Sequence, residues 1–272
     1  MSKFDISIIA VGYKSEKTII PFLDSIKKSK DGLKKEIIIV DNYPADNCAA
    51  LAENHSLHPE VIRNSENIGF SKAINMGAKK AKGKYYFIFN PDTRVVGSAL
   101  KNLFDFAETK PLLGAVAPRL LNYDGKVQAS CFHFPNITNA IKQNFFGVKN
   151  AYKKYIPGNQ TAKVDVAVMA ALLVPKSTFE YLSGLDERFF LYYEDIDFCR
   201  RLNKAKLPVY YFPKANVQHA HGASGNFTEH LNSPLLASAK LYYGSFYFAI
   251  LNSILWIGHK WQVLLRGKKF KD

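Results

Sequence analysis

Apolar residues fall along this chain in short unbroken runs, at 6–11, 36–40, 61–62 and 85–89, separated by helix-length segments at 16–29, 46–53 and 71–82. Compact apolar runs bounded by polar turns predict strands, and their alternation with helices predicts a parallel sheet covered by those helices. The run IIIVD at 37–41 is nearly all β-branched, as expected of a central strand buried on both faces. Further on, the pattern predicts a helix over 98–110, short strands at 115–121 and 126–131, and a buried strand within 164–175. A helix follows over 194–206, with acids first and bases last, the order that complements a helix dipole. The irregular stretch of Asn, Lys and aromatic residues within 122–163 reads as an insertion or loop over a site. There is no internal repeat and no low-complexity tract.

The most hydrophobic segment is 246–265, whose uncharged part of about 17 residues falls short of the roughly 20 that span a bilayer. Wound as a helix, it places Asn252, Ser253, His259, Lys260 and Arg266 on one half and Ile250, Ile254, Ile257, Trp261, Leu264 and Leu265 on the other. Such a helix, followed by the basic tail Arg266, Lys268, Lys269 and Lys271, suits peripheral association with an anionic membrane. It could equally pack on its own domain or between the subunits of a homo-oligomer. The expected organisation is one domain over 1–225 and an amphipathic, basic helical extension over 226–272.

The chain has 272 residues, 47% of them hydrophobic, which excludes intrinsic disorder. Its 37 Lys and Arg exceed its 23 Asp and Glu, giving +14. That excess suits a phosphate-rich partner: a nucleotide, an anionic membrane or a nucleic acid. The basic residues are dispersed and no DNA- or RNA-binding motif is present, so nucleic acid is not the expected partner. Cys48, Cys131 and Cys199 are too few and too far apart for a disulfide scaffold or a cysteine zinc site, which favours the cytoplasm. The first apolar run is too short for a signal peptide and leads straight into a strand.

Ligands of parallel sheets bind outside the carboxyl ends of the strands. Four motifs lie where such a site is expected, and each taken alone has an ordinary structural explanation. NPD at 90–92 follows the strand YYFIF; a carboxylate there suits a divalent cation shared with a diphosphate, or simply a turn. In ENIGFSKAINMG at 66–77, Gly69 permits a tight entry into a helix, and Asn67 and Asn75 are either hydrogen-bonding ligands or an N-cap and a surface residue. The absence of GxGxxG there argues against a dinucleotide site. In DERFFLYYEDIDFCRRL at 186–202, Glu194 and Asp195 follow an aromatic block, whose desolvation suits a general base and whose position equally suits helix capping. HAHGAS at 219–224 offers two histidines.

Taken together and in this order, SIIAVGYKS, IIIVDN, NIGFSKAINMG, FIFNPD, GLDERFFLYYEDIDFCRRL and HAHGAS resemble the family 2 glycosyltransferases of the GT-A fold, especially the bacterial rhamnosyltransferase-like branch. The resemblance implies a Rossmann-like nucleotide-binding α/β sheet with helices on both faces, extended here by a C-terminal membrane-associating helix. It implies inverting transfer of a sugar, rhamnose among the candidates, from a nucleotide-diphosphate donor to a saccharide or polyprenyl-diphosphate-linked acceptor. The setting would be surface polysaccharide synthesis at the cytoplasmic face of the membrane, with Mg²⁺ or Mn²⁺ as cofactor. By the family pattern, Asp92 and His219 hold the metal, and Asn90 stands where many members carry another acid. Val11, Tyr13 and Asp41 contact base or ribose, Asn67, Gly69 and Asn75 belong to the donor site, and Asp195 is the general base with Glu194 as the fallback. Arg201 anchors the helix behind Asp195 by a salt bridge. The rival readings are a nucleotidyltransferase, for which GYKSEKT is a poor phosphate loop, and a non-catalytic nucleotide- or nucleic-acid-binding protein.

Overall fold

In the computed structural model, which describes residues 3–149, 151, 153–220 and 234–266, the early apolar runs become the parallel half of one sheet. The elements are β1 (Phe4–Gly12), α1 (Ile19–Lys28), β2 (Lys35–Asp41), α2 (Cys48–Glu53), β3 (Glu60–Arg63), α3 (Phe70–Lys80) and β4 (Gly83–Phe89). Next come β5 (Thr93–Val96), α4 (Ala99–Glu108), β6 (Ala115–Leu121), β7 (Cys131–Phe132), α5 (Ile137–Phe145), β8 (Ala162–Val164), β9 (Val166–Ala167) and β10 (Ala171–Pro175). The chain continues with α6 (Lys176–Tyr181), α7 (Glu194–Lys204), β11 (Val209–His219), α8 (Pro234–Tyr243) and α9 (Ser245–Arg266).

The main sheet runs β3-β2-β1-β4-β10-β6-β11-β5, with β8 also paired to β11. Its first four strands are parallel, Ile8 lying between Ile37 and Phe87. The expectation of a wholly parallel sheet is corrected at β10, which enters antiparallel to both β4 and β6. Both faces are covered. Ile6, Ile8, Phe87 and Phe89 pack with Phe22 and Leu23 of α1 and Leu100 and Leu103 of α4 on one side. Ile9, Val11, Ile38 and Val40 pack with Ile74 of α3, Phe179 of α6 and Phe198 and Leu202 of α7 on the other. Gly77 lets α3 approach closely, since a Cβ there would lie 2.7 Å from the Ile9 side chain.

Three expectations in the second half change. The apolar run over 164–175 divides among β8, β9 and β10, because β9 leaves the main sheet to pair with β7 while β10 pairs with β4. Of residues 126–131, expected as one strand, 126–128 form the return arm of a hairpin and Cys131 begins β7: Asn122 N–H donates to the Lys126 carbonyl at 2.8 Å around Gly125, whose φ is +83°. The insertion is partly helical, and its α5 packs against the C-terminal α9.

The extension is braced on the sheet domain. Ser238 Oγ donates to the Leu191 carbonyl at 2.8 Å, the Arg200 guanidinium lies 4.3 Å from the Tyr242 ring centre, and Ile137 N–H donates to Tyr247 Oη at 3.0 Å. One edge of α9 faces α5, with Leu251 buried and Gly258 set against Asn144, while Phe246, Ile250, Trp256, Ile257 and Trp261 are exposed. Among the described residues no single helix is long and apolar enough to cross a membrane; α8 and α9 as far as Gly258 have that length and composition only as a pair bent by 117°. The expected boundary at 225/226, His221 and the basic tail from Lys268 onward lie outside the described residues.

Candidate active site

The carboxyl ends of β1, β2 and β4 open into a cavity of about 480 Å³, the size range of small-molecule sites. Val11, Tyr13, Asn67, Gly69, Asn90, Asp92, Glu194, Asp195 and His219 all line it. Sequence motifs up to 208 residues apart in numbering (219 − 11) are thus brought onto one surface.

Two expected donor-site residues do not line the cavity. Asp41 is buried at the end of β2, where Tyr43 N–H donates to its Oδ1 at 3.3 Å; the cavity wall at this strand end is Asn42. Burial holds the Asp41 carboxyl above its ordinary pKa. Asn75 is buried as a bracket between α3 and the loop before α7. Its Nδ2 donates to the Leu185 carbonyl at 2.8 Å and to Glu187 Oε1 at 3.1 Å, and its Oδ1 accepts from Leu185 N–H at 2.9 Å, which uses its amide within the protein. Asn67 combines wall and brace, its Oδ1 accepting from Asn42 Nδ2 at 2.7 Å and from Gly69 N–H at 3.0 Å. Gly69 has φ +87°, and a Cβ there would lie 2.7 Å from Phe190 Cδ2, so glycine is what allows the aromatic loop to close on α3.

Asp92 follows β4 in a tight turn in which Thr93 N–H donates to the Asn90 carbonyl at 3.1 Å. Pairing of β5 with β11 sets Thr93 opposite His219, and His219 Nε2 lies 3.5 Å from Asp92 Oδ1. Asp92 Oδ1 is buried and accepts no hydrogen bond among the described residues. Burial pushes the carboxyl pKa up to about 6. An orphaned carboxylate oxygen facing an imidazole nitrogen fits a divalent cation such as Mg²⁺ or Mn²⁺. Behind this pair stands Gln128, whose Oε1 lies 2.8 Å from His219 Nδ1 and whose Nε2 donates to Asn122 Oδ1 at 3.0 Å. With Nδ1–H held by that oxygen, Nε2 is left as the nitrogen turned toward Asp92. The hairpin also touches the turn directly, Tyr123 Oη donating to the Asp92 carbonyl at 3.2 Å.

Glu194 and Asp195, which line the same cavity, open α7. Tyr192 and Tyr193 just before them have φ +67° and +66°, and two consecutive tyrosines in the left-handed region cost of order 1–2 kcal/mol each. The surroundings hold that turn: Tyr193 packs on Tyr242, ring centres 5.4 Å apart. Burial raises both carboxyl pKa values, and Asp195 raises that of Glu194 further. Ile196 N–H, which donates to Asp195 Oδ1 at 2.8 Å, and the Lys154 ammonium act the other way on Asp195. Two adjacent carboxyls, Glu194 buried and Asp195 half-buried, do not both ionise readily, so they titrate as a linked pair. Arg201 anchors the helix by pairing with Asp197 at 2.7 Å, and binds the Leu182 and Gly184 carbonyls at 2.9 and 2.8 Å. Gln128 and Lys154 are lining residues that motif reasoning missed: Gln128 lies in the segment 126–131 expected as a short strand, and Lys154 in the irregular insertion, where no periodicity marks it.

A second group of ligand types, Asp41, Asp46 and Cys48, lies with its atoms within 4.8 Å of one another. Burial, with Asp46 and Asp41 adding to it, pushes the Cys48 thiol up to about 12, so its sulfur is protonated at neutral pH.

The family model for "Glycosyl transferase family 2" matches residues 7–157, more than half of the chain. The chain is 25% identical over 244 residues, 82% of this chain and 79% of the relative, to an N-acetylglucosaminyl-diphospho-decaprenol L-rhamnosyltransferase of Mycobacterium tuberculosis. It is 25% identical over 215 residues, covering 76% and 67% respectively, to the dTDP-rhamnosyl transferase RfbF of Shigella flexneri. Among solved structures, GalNAc-T7 with UDP, GalNAc and Mn²⁺ superposes with a TM-score of 0.65 at 13% identity, covering 97% of this chain and 56% of that one. A GT-A sheet and a family match across the sheet's first half lead to one assignment: the chain belongs to glycosyl transferase family 2, with rhamnosyltransferases among its relatives.

Proposed function

We propose that this glycosyltransferase moves a sugar, with inversion, from a nucleotide-diphosphate donor to a hydroxyl of a lipid-diphosphate-linked saccharide, and that dTDP-rhamnose is the first donor to test. The observation that carries the reading is that the Asp92–His219 pair and the Glu194–Asp195 pair line one cavity. The rhamnosyltransferase relatives supply the sugar and the acceptor class.

In this reading Val11, Tyr13 and Asn42 form the nucleoside side of the cavity, and Asp92 and His219 are the ligands of Mn²⁺ or Mg²⁺. Such a cation supplies positive charge that stabilises the departing diphosphate. Asp195, ionised beside a protonated Glu194, accepts the proton of the acceptor hydroxyl. That oxygen attacks the anomeric carbon from the side opposite the nucleotide, forming the new C–O bond as the bond to diphosphate breaks. Peripheral attachment to the membrane through the exposed face of α9 would bring the site to a lipid-borne acceptor.

The deciding experiment is calorimetric titration of UDP, dTDP and GDP, with and without Mn²⁺, into the wild type and Asp92→Asn. Metal-dependent preference for one nucleotide, lost in the variant, is expected. Absence of binding under every condition would overturn the transferase reading in favour of a non-catalytic relative.

A further inference from the structure

Lys154 stands beside the proposed base, and its direction is set by its neighbours. Lys153 N–H donates to Gln143 Oε1 of α5 at 3.1 Å, and Tyr155 exchanges two backbone hydrogen bonds with Cys131, at 3.2 and 2.8 Å. Tyr155 stacks on His133 in an adjoining hollow, ring centres 4.8 Å apart, whereas Lys154 lines the main cavity. Its ammonium rests 5.3 Å from the Phe132 ring centre. The surrounding protein lowers its pKa even though Asp195 opposes the effect. Among the described residues no carboxylate forms an ion pair with it.

A partly desolvated ammonium with no carboxylate within ion-pair distance among the described residues is suited to an anion that a ligand brings. Two diphosphates enter the proposed reaction, one on the donor and one on the acceptor. The donor's belongs with Asp92 and His219, while Lys154 acts electrostatically on Asp195, the group that faces the acceptor hydroxyl. Lys142 and Lys149, from the same insertion, line the hollow that holds Tyr155. The insertion that carries all three lysines is also the part that α9 packs against, through Ile137 and Tyr247.

Resting on the transferase reading, we propose that Lys154 binds the diphosphate joining the acceptor sugar to its lipid, so that the insertion selects diphosphate-linked over neutral acceptors. The probe is geranyl diphosphate, titrated into the full chain already saturated with dTDP and Mn²⁺, with geraniol as the uncharged control. Wild type is expected to bind the diphosphate and not the alcohol. Lys154→Ala is expected to weaken that binding about tenfold or more and Lys154→Arg to keep most of it, with dTDP affinity the same in all three. Equal binding by wild type and Lys154→Ala, or none by wild type, overturns the proposal. A loss of dTDP affinity in Lys154→Ala assigns the lysine to the donor and also overturns it. Failure of the transferase reading is a different result, since the wild type would then bind no nucleoside diphosphate before geranyl diphosphate is added.

Discussion

At the scale of single residues, the Glu194–Asp195 pair makes the sharpest division of labour. In the proposed reaction Asp195→Asn removes the proton acceptor, and turnover is expected to fall about 10²- to 10⁴-fold while nucleotide affinity is kept. Burial, with Asp195 adding to it, pushes the Glu194 carboxyl up to about 8, so Glu194→Gln should retain most activity; the reverse pattern of rates would exchange the two roles. The sign of the pH dependence follows from the same burial. Because Asp195 binds its proton more tightly than an exposed carboxyl does, activity should rise as pH climbs through a value above the ordinary Asp range. A pH–rate profile with its acid limb near the exposed-Asp value of about 4 would contradict this. Gln128 is testable on the metal alone. Gln128→Ala removes the partner of His219 Nδ1 and, if Asp92 and His219 hold the metal as proposed, should weaken Mn²⁺ binding about 10- to 100-fold, with Gln128→Glu restoring it; electron paramagnetic resonance titration reads both.

Elements position these groups by accepting local strain and using long-range braces. The turn into α7 holds two tyrosines left-handed, and the α3 entry admits no side chain at Gly69. Gly69→Ala places a methyl against the Phe190 ring and carbonyl in a conformation unfavourable to alanine. It should cost about 1–3 kcal/mol in denaturant unfolding and weaken nucleotide binding by displacing the aromatic loop. Unchanged stability would mean that the loop is not held by this contact. Periodicity revealed most of these elements, since β1, β2, β4, α3 and α7 carry apolar residues in the pattern their burial demands. It overlooked the division of 164–175 into three strands, because a largely apolar run says that it is buried without saying which strand it pairs with.

At the scale of the whole molecule, α9 presents one edge to α5 and a row of apolar side chains, Phe246, Ile250, Ile257 and Trp261, to the exterior. With a net charge of +14, binding to vesicles containing anionic lipid is expected, and Ile257→Glu with Trp261→Glu should release the protein without altering nucleotide affinity. Concentration-dependent dimerisation lost in the same variant, with no vesicle binding by wild type, would assign the face to a second copy instead. The sequence alone determined the alternation of strands and helices and the strand-end positions of the chemical motifs, because burial at each position leaves its mark on the local order of apolar and polar residues. Only the tertiary structure decided which of those residues face the cavity. Asn75 lies in a strand-end motif yet spends its amide on Leu185, 110 positions away, and Gln128 lies in no motif yet meets His219 across 91. Contacts at such separations arise from how the packed sheet and insertion meet, and local periodicity carries no record of them.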